Sequence, residues 1–184
     1  MKLRNTATGY GSISRLLHWL IFLLVATTIP LGYLMGGISD KVVRGEYINI
    51  HKLIGVLILI LMCLRVFWAL YNLKPSLPFQ TPKWQRISER CMHFLLYLGL
   101  IIMPVSGLVG AVAGGRPPHI GNMNIELPIG LNKSVAEFAF KNIHEPLAII
   151  LIVLISIHIL AALFHHFVKR DDVLRRMLTA NNRW

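Results

Sequence analysis

The segment HEPLAIILIVLISIH, His144–His158, sets an imidazole at each end of thirteen residues, of which only Glu145 is charged. A run this apolar reads as a helix in hydrocarbon: at about 1.5 Å per residue, a stretch such as Pro146–Val168 crosses a core about 30 Å thick. His158 then lies about 18 Å along that helix from Pro146. Ionisable groups at such depth face the interior of a bundle and mark function. Fourteen steps of about 100° fall about 40° short of four turns, so His144 and His158 share one face, about 21 Å apart.

Three further stretches have the same character, Ile13–Gly36, Ile50–Tyr71 and His93–Ala113. With 55% hydrophobic residues, 15% charged residues and a mean hydropathy of +0.60, the chain is too apolar for a typical soluble protein. Backbone groups in lipid must bond within their own segment, which makes each span a helix. The expected fold is therefore all-α and integral to the membrane, a four-transmembrane-helix bundle. It forms one domain over residues 1–184, with spans at about 13–36, 50–71, 93–113 and 146–168. The first stretch is longer than a signal-peptide core and no A-x-A-like cleavage site follows it, so it reads as a retained span.

A formal net charge of +11 would suggest nucleic acid in a soluble protein. Here its distribution gives a different reading. One side carries Lys2, Arg4, Arg15, Arg65, Lys74, Lys83, Arg86, Arg90, Lys169, Arg170, Arg175, Arg176 and Arg183, thirteen positive residues against the three acids Glu89, Asp171 and Asp172. The other side has six positive residues against five acids. The positive-inside rule puts both termini and the Leu73–Arg90 loop in the cytoplasm. The excess also suits anionic lipid heads, and nucleic acid is not needed to explain it. Cys63 and Cys91 form no CxxC pair, and the absence of C-x-x-C-H excludes covalent c-type haem attachment.

Between the spans the signals are local. Ser12 and Ser14 are expected to cap the first helix. Pro30 is expected to kink it, and Gly32, Gly36 and Gly37 to loosen its end. Pro75, Pro78 and Pro82 make the inner loop extended. The longest aqueous segment, Gly114–Asn142, contains SVAEFAFKN, which reads as a short surface helix.

Eight histidines occur, and His119, His165 and His166 have the placement of interfacial residues. His158 does not. Neutral imidazole is a strong iron ligand, and two can hold a haem iron from opposite sides without a covalent link. His51 opens the second helix on the outer side, level with His144. His18, early in the first helix, is the natural partner of His158. Two haems stacked across the membrane follow, an outer one at His51/His144 and an inner one at His18/His158. Spacing alone leaves an alternative: His165 lies on the same face and matches the depth of His18 somewhat better. That choice sets the two ligands of the fourth helix about 31 Å apart, a poor gap for electron transfer, and leaves His158 without a role.

Other residues are candidate haem contacts. Gly55 follows His51 by four on the same face, where a missing side chain lets a flat macrocycle lie against backbone; close helix packing is the competing explanation. Arg65 follows His51 by fourteen, and Arg15 lies one turn before His18; both suit an inner propionate, with snorkelling to phosphate as the alternative for Arg65. Lys52 and Arg44 suit the outer haem. His93, at the start of the third span, reads as interfacial, with a propionate or quinone contact as the alternative.

The motifs YGSISRLLHW (Tyr10–Trp19), HKLIGVLILILMCLRVFW (His51–Trp68), HEP…H and HHFVKRDDVLRRM (His165–Met177) resemble, in this order and over nearly the whole chain, the bacterial cytochrome b561 family of di-haem membrane cytochromes. The resemblance implies axial ligands at His18, His51, His144 and His158, which resolves the choice against His165. It also implies a multi-pass protein of the bacterial inner membrane. One class in the family is similar to a superoxide oxidase, which passes electrons from superoxide at the outer face to ubiquinone. Such chemistry calls for a cationic approach to the outer haem, with Lys52, Arg44 and Arg116 as candidates. A homodimer follows by analogy only.

The leading expectation is thus transmembrane electron transfer by haem, with quinone at one terminus and superoxide or a redox protein as donor. No acid–base catalytic constellation is visible, and a relay needs none. A cytochrome b subunit anchoring a dehydrogenase or hydrogenase is the alternative within redox chemistry. A metal-ion transporter ranks lower, since it predicts ligands converging on one site with carboxylates nearby.

Overall fold

The computed structural model describes residues 3–76 and 81–179. Lys2, Pro78 and Arg183 of the preceding argument lie outside them. Four helices are long and apolar enough to cross a membrane, as expected. They are α1 (Ser12–Leu34, continued by the 3-10 turn Met35–Gly37), α2 (Lys41–Leu70), α3 (Lys83–Ala113) and α4 (Lys133–Lys169). A short α5 (Arg175–Leu178) and a two-stranded hairpin, β1 (His119–Ile120) with β2 (Met123–Asn124), complete the described residues.

The helices outrun the hydrophobic stretches that announced them. Asp40 caps α2, its Oδ1 accepting from the amides of Val42 and Val43, so this helix begins in the polar run read as loop. Lys83, Arg86, Glu89 and Arg90 belong to the first turns of α3 rather than to a loop. The segment SVAEFAFKN is no separate surface helix. It is the start of α4, joined to the apolar part by a π-helical turn over Ala139–His144. Asn132 caps it by accepting from Val135 N.

Ser12 and Ser14 do not cap α1 either: its N-cap position is Gly11, which has no side-chain bond to offer. Asn5 organises this entry. Its Oδ1 accepts from Gly11 N and Ser14 Oγ, and its Nδ2 donates to Leu73 O at 2.9 Å. Ser14 Oγ in turn accepts from Trp68 Nε1 at 3.0 Å, tying the start of α1 to the end of α2.

Each spanning helix packs on the next: α1 on α2, α2 on α3 and α3 on α4. Among the described residues α1 and α4 make only slight direct contact. The core is small and sits between the first two helices, around Ile21, Val25, Ile58, Leu61 and Met62. Large apolar side chains such as Leu23, Ile60, Phe94, Ile149 and Leu160 are exposed, as helices facing acyl chains require. The bundle has a proximal end, where residues 3–11 and 170–179 lie, and a distal end, where the 38–40 and 114–132 connections lie.

Candidate functional site

Cavities occupy the space that α1 and α4 leave between them. The distal one, about 540 Å³, is bordered by His51, His144, Gly32, Gly55 and Lys52; the proximal one, about 270 Å³, by His18, His158, Arg65, His93 and Tyr97. The linings are otherwise almost wholly apolar.

The structure pairs the histidines across these cavities. His18 faces His158 with ring centres 6.3 Å apart, and His51 faces His144 at the same 6.3 Å. The rings in each pair are steeply crossed, at 73° and 71°. Two imidazoles gripping one metal from opposite sides set their ring centres about 6 Å apart, because each nitrogen lies about 2.0 Å from the metal and about 1.1 Å from its own ring centre. The donor chemistry and the spacing both fit a flat iron cofactor. Among the described residues no three His, Cys, Asp or Glu side chains gather as a bare-ion site, the arrangement a transporter would need.

The distal imidazoles are held from behind. His144 Nδ1 donates to Met103 O at 3.1 Å and lies 3.2 Å from Ser106 Oγ. A carbonyl only accepts, so the proton is on Nδ1 and the Nε2 lone pair is free. His51 Nδ1 lies 3.2 Å from Thr28 Oγ1. Both rings press against glycine: a Cβ on Gly107 would stand 2.9 Å from His144 Cε1, and one on Gly32 would stand 3.1 Å from His51 Cε1. At the proximal pair, His18 Nδ1 is buried with no partner among the described residues.

The candidate contacts fare unevenly. Gly55 lines the distal cavity, where an added Cβ would meet only Pro104 Cβ at 4.0 Å, so it leaves space and admits helix packing alike. Arg65 lines the proximal cavity, its Nε donating to Tyr97 OH at 3.0 Å. Lys52 borders the distal cavity, but its ammonium donates to Arg116 O at 2.8 Å and Pro117 O at 3.2 Å, which makes it a clasp for the loop. Arg15 is buried, and its Nε has no partner among the described residues; it is not among the residues bordering either cavity. Arg44 and Arg116 are exposed at the distal end.

Among the remaining histidines, His119 lies on β1, its main chain joined to Asn49 by paired bonds of 2.9 and 3.0 Å. His166 stacks edge-on to Phe167, and His165 bonds to Asp171. His93 departs from the interfacial reading. It lines the proximal cavity with its ring centre 5.5 Å from that of His158, and its Nδ1 lies 2.8 Å from Glu89 O and 3.0 Å from Glu89 Oε1.

Thr28, Met103, Ser106, Gly32 and Gly107 were absent from the sequence-based site. A signal for the glycines existed. Gly32 follows His18 by fourteen residues and Gly107 follows His93 by fourteen, the same interval that links His144 to His158 and His51 to Arg65.

Known proteins resemble the chain over most of its length. A family described as prokaryotic cytochrome b561 matches residues 9–180. The chain is 34% identical to cytochrome b561 homolog 2 of Escherichia coli (strain K12), over 97% of this chain and 95% of that one. It is 31% identical to cytochrome b561 homolog 1 of the same organism, over 88% and 92% of the two chains. A probable superoxide oxidase CybB of Yersinia pestis is 28% identical, over 92% and 95%.

Proposed function

The chain belongs to the prokaryotic cytochrome b561 family, and on that premise we propose that it is a di-haem, b-type membrane cytochrome acting as a single domain. The observation that carries this reading is the matched pair of 6.3 Å imidazole separations at two depths of one bundle. His51 and His144 would hold one haem, and His18 and His158 the other. Bound haem supplies one-electron chemistry.

The chain's own residues do the rest. Arg65, fixed by Tyr97, offers a cation to a propionate in the proximal cavity. Asn49 and Lys52 hold the 116–119 backbone against α2 beside the distal cavity. Apolar linings lower the local dielectric around both sites.

The basic excess near the termini supports a cytoplasmic placement of the proximal end in a bacterial inner membrane. Membrane quinone is the proposed acceptor and superoxide the proposed donor, the latter because one relative is named a probable superoxide oxidase. Exposed Arg44 and Arg116 would draw an anion to the distal face.

A reduced-minus-oxidised spectrum with pyridine-haemochrome quantitation on the purified chain tests the proposal. Two b haems per chain are expected, and a folded but colourless protein overturns it. Reduction by superoxide without a partner subunit separates an autonomous carrier from an anchoring subunit.

A further inference from the structure

The two histidine pairs differ in what stands behind them. On α1, Thr28 and Gly32 lie one turn apart; the hydroxyl meets His51 Nδ1 at 3.2 Å, and the missing Cβ of Gly32 lets the ring approach. On α3, Met103 and Gly107 repeat the device. The carbonyl takes the Nδ1 proton of His144 at 3.1 Å, through a gap where a Cβ on Gly107 would come within 3.1 Å of that same nitrogen. Once Nε2 is given to a metal, Nδ1 carries the proton, and each distal imidazole then has an oxygen placed to accept from it and, one turn later, a glycine that admits the ring.

The proximal pair lacks this arrangement. His18 Nδ1 is buried without a partner among the described residues, and the close neighbours of the His158 ring are His18 and His93. Charge differs too: the proximal lining includes the cation Arg65, whereas the distal lining balances Lys52 with Glu145.

An imidazole that gives its Nδ1 proton to an oxygen becomes a stronger base at its other nitrogen, and a more basic ligand favours the oxidised metal. A nearby cation favours the added electron. Both effects act in one direction here.

We propose that the Thr28–His51 and Met103–His144 hydrogen bonds, set against the unpartnered His18 and the Arg65 charge, make the distal site the more reducing of the two. With a haem held at each pair, transfer from the distal to the proximal site would be downhill, toward the end where residues 3–11 and 170–179 lie. Thr28, Met103, Gly32 and Gly107 are positioning residues in this scheme, and the scheme rests on the di-haem reading above.

Optical and EPR-monitored redox titration of the purified holoprotein tests it. Two resolved midpoints are expected. Thr28→Val, which keeps the shape and removes the acceptor, is expected to raise only the lower midpoint, by about tenfold in that site's reduction equilibrium (about 59 mV for one electron). Thr28→Ser restores it. Gly107→Ala moves the same midpoint in the same direction by pushing His144 off Met103, and Arg65→Gln lowers only the upper one. With two haems bound, a Thr28→Val protein whose midpoints are unchanged, or whose upper midpoint moves instead, overturns the proposal. A wild-type preparation with fewer than two b haems per chain overturns the di-haem reading and the proposal with it.

Discussion

The imidazole of His165 is bonded through Nδ1 to the carboxylate of Asp171, six residues along the chain. Between them Arg170 adopts the left-handed conformation, at φ 55°, and turns the chain back toward the helix it has just left. His165 is thereby committed to closing α4, while His158 faces His18. Replacing His158 with alanine is expected to leave one haem per chain by pyridine-haemochrome assay. His165→Ala is expected to retain two; the opposite pattern would reassign the proximal ligand.

Asn49 is buried, and its side chain donates to His119 O and accepts from His119 N. Asn49→Ala strips both partners from that residue's main chain, at a cost of about 1–3 kcal/mol for groups left unsatisfied. Faster hydrogen exchange across 116–124 is the expected readout, with the four spanning helices unchanged. Unaltered exchange there would show that Lys52 alone holds the loop.

Gly55 borders the distal cavity with room to spare for a methyl group. Gly55→Ala is expected to keep full haem content. Gly55→Leu, whose branched end reaches into the space, is expected to lose the distal haem and keep the proximal one. Full occupancy in the leucine variant would mean that this wall is not in contact with the group.

Gly99 meets α4 where an added Cβ would stand 2.7 Å from Leu151 Cδ2, and Leu151 is itself only 3% exposed. Gly99→Val therefore forces overpacking, expected to cost about 1–3 kcal/mol. A lower unfolding temperature in detergent, without a change in either haem spectrum, is the result to look for.

Tyr10 precedes α1, and burial, followed by the nearby Glu89 and Tyr97, pushes its phenol above the usual 10.0. A raised folded-state value means that the folded protein holds a proton the unfolded chain has already released. Its contribution to stability is complete below about pH 10 and fades as pH climbs beyond that. Tyr10→Phe is expected to flatten the alkaline loss of stability, as followed by thermal unfolding at stepped pH.

The four spans were legible because hydrocarbon imposes a length and a composition that no loop imitates. Their ends were not. Lys41–Asn49 and Lys83–Met92 are helical turns outside the apolar windows, where capping by Asp40 and packing decide rather than hydropathy. SVAEFAFKN carried its own surface signature, including the Glu137–Lys141 ion pair at 3.1 Å, yet it continues into α4 through a π turn that no periodicity announces. The fourteen-residue interval marked His144 and His158 on one face, because histidine brings chemistry that lipid does not explain, but it left His165 open; His51 and His18 were matched to them by depth, and the family resemblance made the choice. Gly32 and Gly107 sit at the same interval and stayed hidden, since what they contribute is an absence that only coordinates reveal. At His93 the lower-ranked reading, a contact with a bound group, is the one its place in the proximal lining favours; the helix that begins a decade of residues earlier draws it inward, with Glu89 beside it.

Val25, Leu100 and Ile155 border both cavities at once. The two linings share these three side chains, so a change of size at any one of them reaches both chambers. A bulkier group at Val25 would narrow both chambers at once, whereas a trimmed one would widen both. At these three positions, unlike Gly55, the two chambers change in step.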